Sequence, residues 1–223
     1  MRTDPRPAGR NRAATAAPVD IYTAGLGGSA IVLRYPDGSR RPLPVEDYTA
    51  VSLPGDAGML ARCDGPTLDV GCGPGRLTAA LAARGVPALG IDITPAATSM
   101  ARGRGALALT RSVFDSLPGT SRWSCALLAD GNIGIGGHPV ALLRRLRELL
   151  SRQGRVILEL DPPDTVTSRF RVRLEGDGRT SGWFPWAAVG ADDIDAVAAE
   201  AGLVPVEHWT EMQRWFAVLS RPC

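Results

Sequence analysis

Three glycines at alternate positions, Gly71, Gly73 and Gly75, stand between the acidic Asp69 and the basic Arg76 in the run from Thr67 to Arg76. Residues without a side chain at this spacing let a ligand reach the backbone and let the chain take positive φ, so the run reads as a cradle. A dinucleotide fingerprint would need a third glycine three residues after its second, so that a helix N-terminus meets a pyrophosphate; that place holds Arg76. Asp69, at the strand end, would repel an incoming phosphate. A second carboxylate, Asp92, falls twenty-one residues beyond Gly71, where the end of a neighbouring parallel strand can offer an acid to both hydroxyls of a ribose. It supports a ribose without choosing among ribose-bearing ligands. Downstream, Asp130 and Asn132 open a second glycine-rich stretch and can each accept a hydrogen bond. His138, one of two histidines, is a titratable imidazole suited to base catalysis, or else a residue at the N-terminal end of the next helix.

Regular strands and helices must hold these groups. Thr67–Val70 is a short apolar strand, and Arg76–Arg84 a helix with Leu77, Ala80 and Leu81 on one face and Gly85 as its stop. Pro87–Ile93 is a second strand, followed by Thr94-Pro95 as cap and first turn of a second helix. Ala106–Phe114 and Trp123–Asp130 read as the third and fourth strands. Pro139–Leu150 reads as a helix with its leucines opposite Arg144, Arg145 and Arg147, and Gly154–Leu160 as a fifth strand. The prolines of Asp161-Pro162-Pro163 make a rigid loop. Asp192–Ala201 is the last helix, before paired strands over Leu203–Met212 and Arg214–Ser220. Two hairpins decorate this alternation. One, Ala30–Tyr35 with Arg41–Val45, turns at Pro36-Asp37-Gly38-Ser39, its second strand kept at an edge by Pro42 and Pro44. The other lies between about Phe170 and Trp186. Arg169, Arg171 and Arg173 share one face of it, either to hold an anionic substrate or as a solvated face beside a small core of Trp183, Phe184 and Trp186.

Length and composition bound the reading. The chain has 223 residues and a net charge of +2, enough for one large α/β domain, with no global field that points to nucleic acid or an anionic membrane. All 25 basic residues are arginine, which reads as coding bias. Cys63, Cys72, Cys125 and Cys223 show no metal or disulfide spacing and fit free thiols in the cytoplasm. No apolar run reaches the roughly 18 residues of a membrane span. Residues 1–18 read as a disordered arm, 19–63 as the N-terminal hairpin with a cap helix, and 64–223 as the main domain with an insertion at about 165–190.

The pattern Asp69-x-Gly71-x-Gly73-x-Gly75, with Asp92 and the strand–helix alternation, resembles the class I S-adenosylmethionine (SAM)-dependent methyltransferases over about Thr67 to Ser220. The resemblance implies a doubly wound, mostly parallel seven-stranded sheet with helices on both faces and the last strand antiparallel. It implies SAM as cofactor, held by Asp69, Gly71, Cys72, Gly73, Gly75, Asp92 and Ile93. Phe114, Asp115 and Asp130 join that set, Val113 standing where relatives place an acid toward the adenine. Tyr22, Tyr48 and Leu53 fall in the segment that covers the cofactor in relatives. On the acceptor side the expected residues are Asn132, Arg171, Trp183 and Trp186, with His138 and Asp130 as catalytic candidates and no metal required. A methyltransferase acting on a small molecule is the leading expectation. The alternatives are an NAD(P)-dependent oxidoreductase and a non-catalytic SAM-binding regulator.

Overall fold

The structure, a computed structural model, describes residues 15–222. Its N-terminal part comprises β1 (Thr15–Ala16), α1 (Pro18–Leu26), β2 (Val32–Arg34), β3 (Arg40–Pro42), α2 (Val45–Thr49) and α3 (Asp56–Ala61). Then come β4 (Thr67–Val70), α4 (Arg76–Ala83), β5 (Ala88–Asp92), α5 (Pro95–Gly103), β6 (Ala108–Thr110) and β7 (Trp123–Leu128). A 3-10 segment, Asn132–Gly137, leads into α6 (Pro139–Leu149) and β8 (Leu150–Leu160). The chain ends with β9 (Ser168–Gly176), β10 (Arg179–Ser181), β11 (Phe184–Ala188), α7 (Ile194–Ala201), β12 (Val204–Glu211) and β13 (Arg214–Ser220).

The seven-stranded sheet has the order β12-β13-β8-β7-β4-β5-β6. Strands β4 to β8 pair in parallel and β13 runs antiparallel between β12 and β8, as the resemblance implied. All four residues of β4 are buried, which suits a central strand covered on both faces. On one face Leu142, Leu143, Leu146 and Leu149 of α6 pack with Ile194 and Ala198 of α7. Leu77 and Leu81 of α4, with Met59 and Leu60 of α3, cover the other face against Phe216. Each fully buried leucine contributes about 1.5–3 kcal/mol. The chain reversal at this sheet's centre leaves a crevice beyond the strand ends, where open α/β sheets bind ligands.

The two hairpins are one structure. Strand β9 pairs along one stretch with β11 and along another with β10 and β2, giving a second sheet of order β1-β10-β9-β2-β3. Strand β3 lies at its edge, consistent with Pro42. Ile21 of α1, Ile31, Val45 and Leu174 form its own small core. This sheet is a roof over the crevice.

Three expectations are corrected. Of the residues 1–18 assigned to an arm, 1–14 lie outside the described residues, whereas Thr15–Ala16 pairs with β10 and α1 begins at Pro18. Proline at the first helical position and the apolar Val19, Ile21 and Tyr22 explain that helix. The third strand stops at Thr110, because a turn closes when the Ser112 N–H donates to Asp115 Oδ2 (3.0 Å). The second hairpin strand, expected over Arg41–Val45, ends at Pro42, and Val45 instead opens the helix Val45–Thr49.

Candidate active site

The glycine loop is shaped by its neighbours as much as by the space it leaves. Gly71, Gly73 and Gly75 have φ of 74°, 52° and 86°, the left-handed region that L side chains rarely enter. A Cβ on Gly71 would lie 2.7 Å from the Asn132 amide nitrogen. That amide donates to the carbonyl oxygens of Val70 (3.1 Å) and Gly71 (3.0 Å) and so fixes the end of β4. A Cβ on Gly75 would lie 2.6 Å from Ala101 Cβ, so this glycine lets α5 pack against the start of α4. Gly73 faces space: its Cβ would stand 3.4 Å from the Tyr22 hydroxyl, across the gap between loop and roof.

Asp92, at the end of β5, accepts the Gly73 N–H on Oδ2 (3.1 Å) and the Thr94 N–H on Oδ1 (2.7 Å). Each oxygen keeps a further acceptor position, so a ribose diol can still bind. Burial raises its carboxyl above the usual carboxylate range, against the pull of the backbone donors at Thr94 and Gly73. Asp69 is fully buried and accepts Thr78 Oγ1 (2.6 Å); burial lifts its carboxyl to about 6.

A network of five charges ties the floor together. Arg76, 4% exposed, pairs with Asp56 and with Asp130 Oδ2 (2.5 Å). Arg214 reaches Asp56 Oδ1 (3.1 Å), Asp130 Oδ1 (3.5 Å) and both oxygens of Glu159 (2.7 and 2.8 Å). The Asp130 N–H donates to Glu159 Oε2 (2.7 Å), which supports the residue at φ 54°, a conformation that costs about 1–2 kcal/mol. Burial keeps the Asp130 carboxyl above its ordinary range despite Arg76, whereas at Asp56 the hydrogen bonds from Arg76 and Leu53 overcome burial and hold it below. Arg76, which replaces a dinucleotide glycine, is thus the bolt joining α3, the glycine loop and the end of β7.

Floor and roof enclose a cavity of about 590 Å³. Its floor is the run from Asp69 to Pro74 with Asp92, Ile93, Ser112, Val113, Asp130 and Asn132. Its roof is apolar and aromatic: Tyr22, Tyr35, Phe170, Val172, Phe184 and Trp186. Tyr35 lies 5.6 Å from Phe170, and Phe184 meets Trp186 edge-on at 6.3 Å, geometries favoured between aromatic rings.

A family described as "Methyltransferase domain" matches residues 67–154, from the start of β4 into β8. That stretch of the chain is similar to a methyltransferase domain. No curated protein matches the sequence, but solved structures match its fold. A SAM-dependent methyltransferase from Bacteroides fragilis, in complex with S-adenosyl-L-homocysteine, superposes with a TM-score of 0.78 at 21% identity, covering 93% of this chain and 97% of that one. The 1,6-didemethyltoxoflavin-N1-methyltransferase of Burkholderia thailandensis gives 0.60 at 19%, covering 95% and 93%. The CcbJ methyltransferase of Streptomyces caelestis gives 0.58 at 18%, covering 80% and 96%.

Around this cavity the sequence-derived candidates divide. Asp69, Gly71, Cys72, Gly73, Asp92, Ile93, Asp130, Asn132 and Trp186 line the cavity. Gly75 does not, its Cα facing α5. Phe114 is 49% exposed and packs toward Gly136, and Asp115 closes the turn after β6, so both stand off the cavity while Val113 faces it. His138 also stands outside the cavity lining: its Nδ1 accepts the Ala141 N–H (3.3 Å) as the cap of α6. Arg171 is exposed and donates to the Trp183 carbonyl (2.9 Å). Trp183 lies beneath the Arg173 guanidinium at 5.0 Å, away from the cavity. The three arginines do share one face of β9, but it is the outer one, because Phe170, Val172 and Leu174 take the inner face. Tyr22 and Tyr48 line the cavity and Leu53 does not. Asp161, Phe170 and Phe184 were missed as site residues. The alternation of β9 marked Phe170, but only the pairing with β2 and β11 tells which face turns inward.

Proposed function

We propose that the chain transfers the methyl group of SAM to a small-molecule acceptor in the cytoplasm, with the donor on the glycine-loop floor and the acceptor beneath the roof. One observation carries this: a continuous cavity whose floor offers carboxylates and glycine backbone while its roof offers aromatic surface. The floor fits SAM. Gly73 leaves a gap toward Tyr22 that a Cβ would fill, and Asp92 retains acceptor positions for ribose hydroxyls. Ile93, 61% exposed and on the cavity wall, gives an adenine an apolar face that binding would cover. When bound, SAM supplies a methyl already activated by a sulfonium.

What the chain must add is alignment and exclusion of water, the larger part of such catalysis. The Asp69–Gly73 backbone and Asp92 orient the donor. The roof aligns an acceptor over it and keeps water out. Asp130, already bound to Arg76 and Arg214, serves to hold the floor's shape and electrostatics in place of proton transfer, and His138, which stands off the cavity lining, takes no part in catalysis. Among the described residues no helix is long and apolar enough to cross a membrane, in keeping with a protein that meets small diffusible acceptors.

Calorimetry with SAM, S-adenosylhomocysteine and NADPH tests the donor assignment. The first two should bind and NADPH should not, and Asp92→Ala should weaken SAM by about 1–3 kcal/mol, the cost of lost charged hydrogen bonds, with its thermal transition unchanged. Binding of NADPH without SAM would replace this reading by the oxidoreductase.

A further inference from the structure

Four carboxylates line the cavity: Asp69, Asp92, Asp130 and Asp161. Three are committed. Asp69 is buried under Thr78, Asp92 takes two backbone donors beside the glycine loop, and Asp130 is paired with Arg76 and Arg214. Asp161 differs in position and in partners. It follows β8 on the acceptor side, where its backbone bridges to Gly190 just beyond β11. Its Oδ2 accepts the Val189 N–H (3.1 Å), and among the described residues no other donor and no cation is within bonding distance of the side chain.

The walls around it favour flat, apolar molecules. The paired rings of Tyr35 and Phe170, and of Phe184 and Trp186, offer π faces, while Arg169, Arg171 and Arg173 are turned outward. Arg41, stacked at 5.5 Å over Tyr35, is the basic residue on the roof side. A second cleft, of about 220 Å³, also touches Asp161 and is lined by Glu159, Gln213, Arg214 and Trp215.

Building on the methyl-transfer reading above, we propose that the acceptor is a flat, mainly apolar aromatic molecule with an ionisable O–H or N–H, and that Asp161 is the catalytic base that takes its proton. The acceptor heteroatom forms a bond to the methyl carbon with its lone pair. The carbon–sulfur bond breaks with its electrons remaining on sulfur, which leaves as a neutral thioether, and the acceptor proton passes to Asp161 Oδ1. Burial raises the Asp161 carboxyl above the usual range; the Val189 N–H draws it down, Glu159 raises it further and Arg41 lowers it. A carboxylate of raised basicity is the better proton acceptor.

The test uses the full chain and tritium-labelled SAM. β-Naphthol and umbelliferone are offered beside glycine and ethanolamine, which are polar and flexible. Faster transfer to the flat phenols is expected. Preference for glycine or ethanolamine, or transfer to none of them while SAM binds in calorimetry, overturns the acceptor class; absence of SAM binding would instead overturn the donor assignment beneath it. Asp161→Asn should lower kcat for β-naphthol by about 10²–10⁴-fold, leave the KM for SAM unchanged and remove the acidic limb of the kcat–pH profile. A nitro-substituted naphthol, already ionised at the assay pH, brings no proton and should restore most of the rate. Equal losses on the ionised and un-ionised acceptors would make Asp161 a structural residue and sink its role as base.

Discussion

Gly75→Ala separates what the glycine loop does for packing from what it does for the cofactor. Gly75 has φ 86°, and an added Cβ would stand 2.6 Å from Ala101 Cβ and 2.8 Å from Ala101 Cα. Gly85, just past the other end of α4, has φ 74° and no heavy atom within 4 Å of the place a Cβ would take. Alanine at either site is forced into the left-handed region, at about 1–2 kcal/mol. At Gly75 alone it also drives α5 away from α4, and overpacking of this kind costs about 1–3 kcal/mol. Gly85→Ala should therefore lose about 1–2 kcal/mol and Gly75→Ala about 2–5 kcal/mol. In a chain of this size each kcal/mol moves Tm by roughly 2–4 °C, so thermal and urea unfolding followed by circular dichroism resolve the two. Gly73→Ala, whose Cβ meets only the Tyr22 hydroxyl at 3.4 Å, should unfold like Gly85→Ala yet bind SAM more weakly. Equal destabilisation at Gly75 and Gly85, with the urea slope unchanged, would refute the claim that contact with α5 demands glycine.

Two further outcomes follow from the buried charges. Arg76→Met strands Asp56, 2% exposed, and should cost about 3–5 kcal/mol; Asp56→Asn added to it should recover part of that loss, and strictly additive unfolding energies would show that the two residues act independently. The Asp69 carboxyl, lifted by burial from 3.8 to about 6, keeps its proton in the folded state where the unfolded chain has released it. Wild-type stability from this group is therefore present below about pH 4 and is lost as pH rises through about 6. Urea titrations without SAM should show Asp69→Asn gaining on the wild type across that window, and a constant difference would remove Asp69 from the account.

The floor of the site was legible because it is local. Glycines at fixed offsets, an acid at each of two strand ends and the alternation of strand and helix are properties of short windows, and they gave β4 through α6 with Asp92 in place. The roof was not, because it depends on pairing between distant segments. Leu33 meets Leu174 across β2 and β9, and no window contains both. Period-two alternation put Arg169, Arg171 and Arg173 together but could not say that Phe170 and Val172 would own the inside. His138 shows a different limit: an imidazole before a proline suits catalysis and capping alike, and its Nδ1 is spent on Ala141. Helix α1 was hidden by the composition of the residues before it.

The joining of β2 to β9 also orders events during synthesis. The five parallel strands of the floor emerge in succession, each beside partners already made or soon to come. The N-terminal hairpin emerges first of all and then waits, its apolar face with Leu33 and Leu43 uncovered, until β9 has left the ribosome. Closing so long a loop adds little to stability's entropic cost but delays the contact. A nascent chain halted before Ser168 would own the floor and only the Tyr22 and Tyr35 part of the roof, and its bare hairpin would be a natural hold for a chaperone.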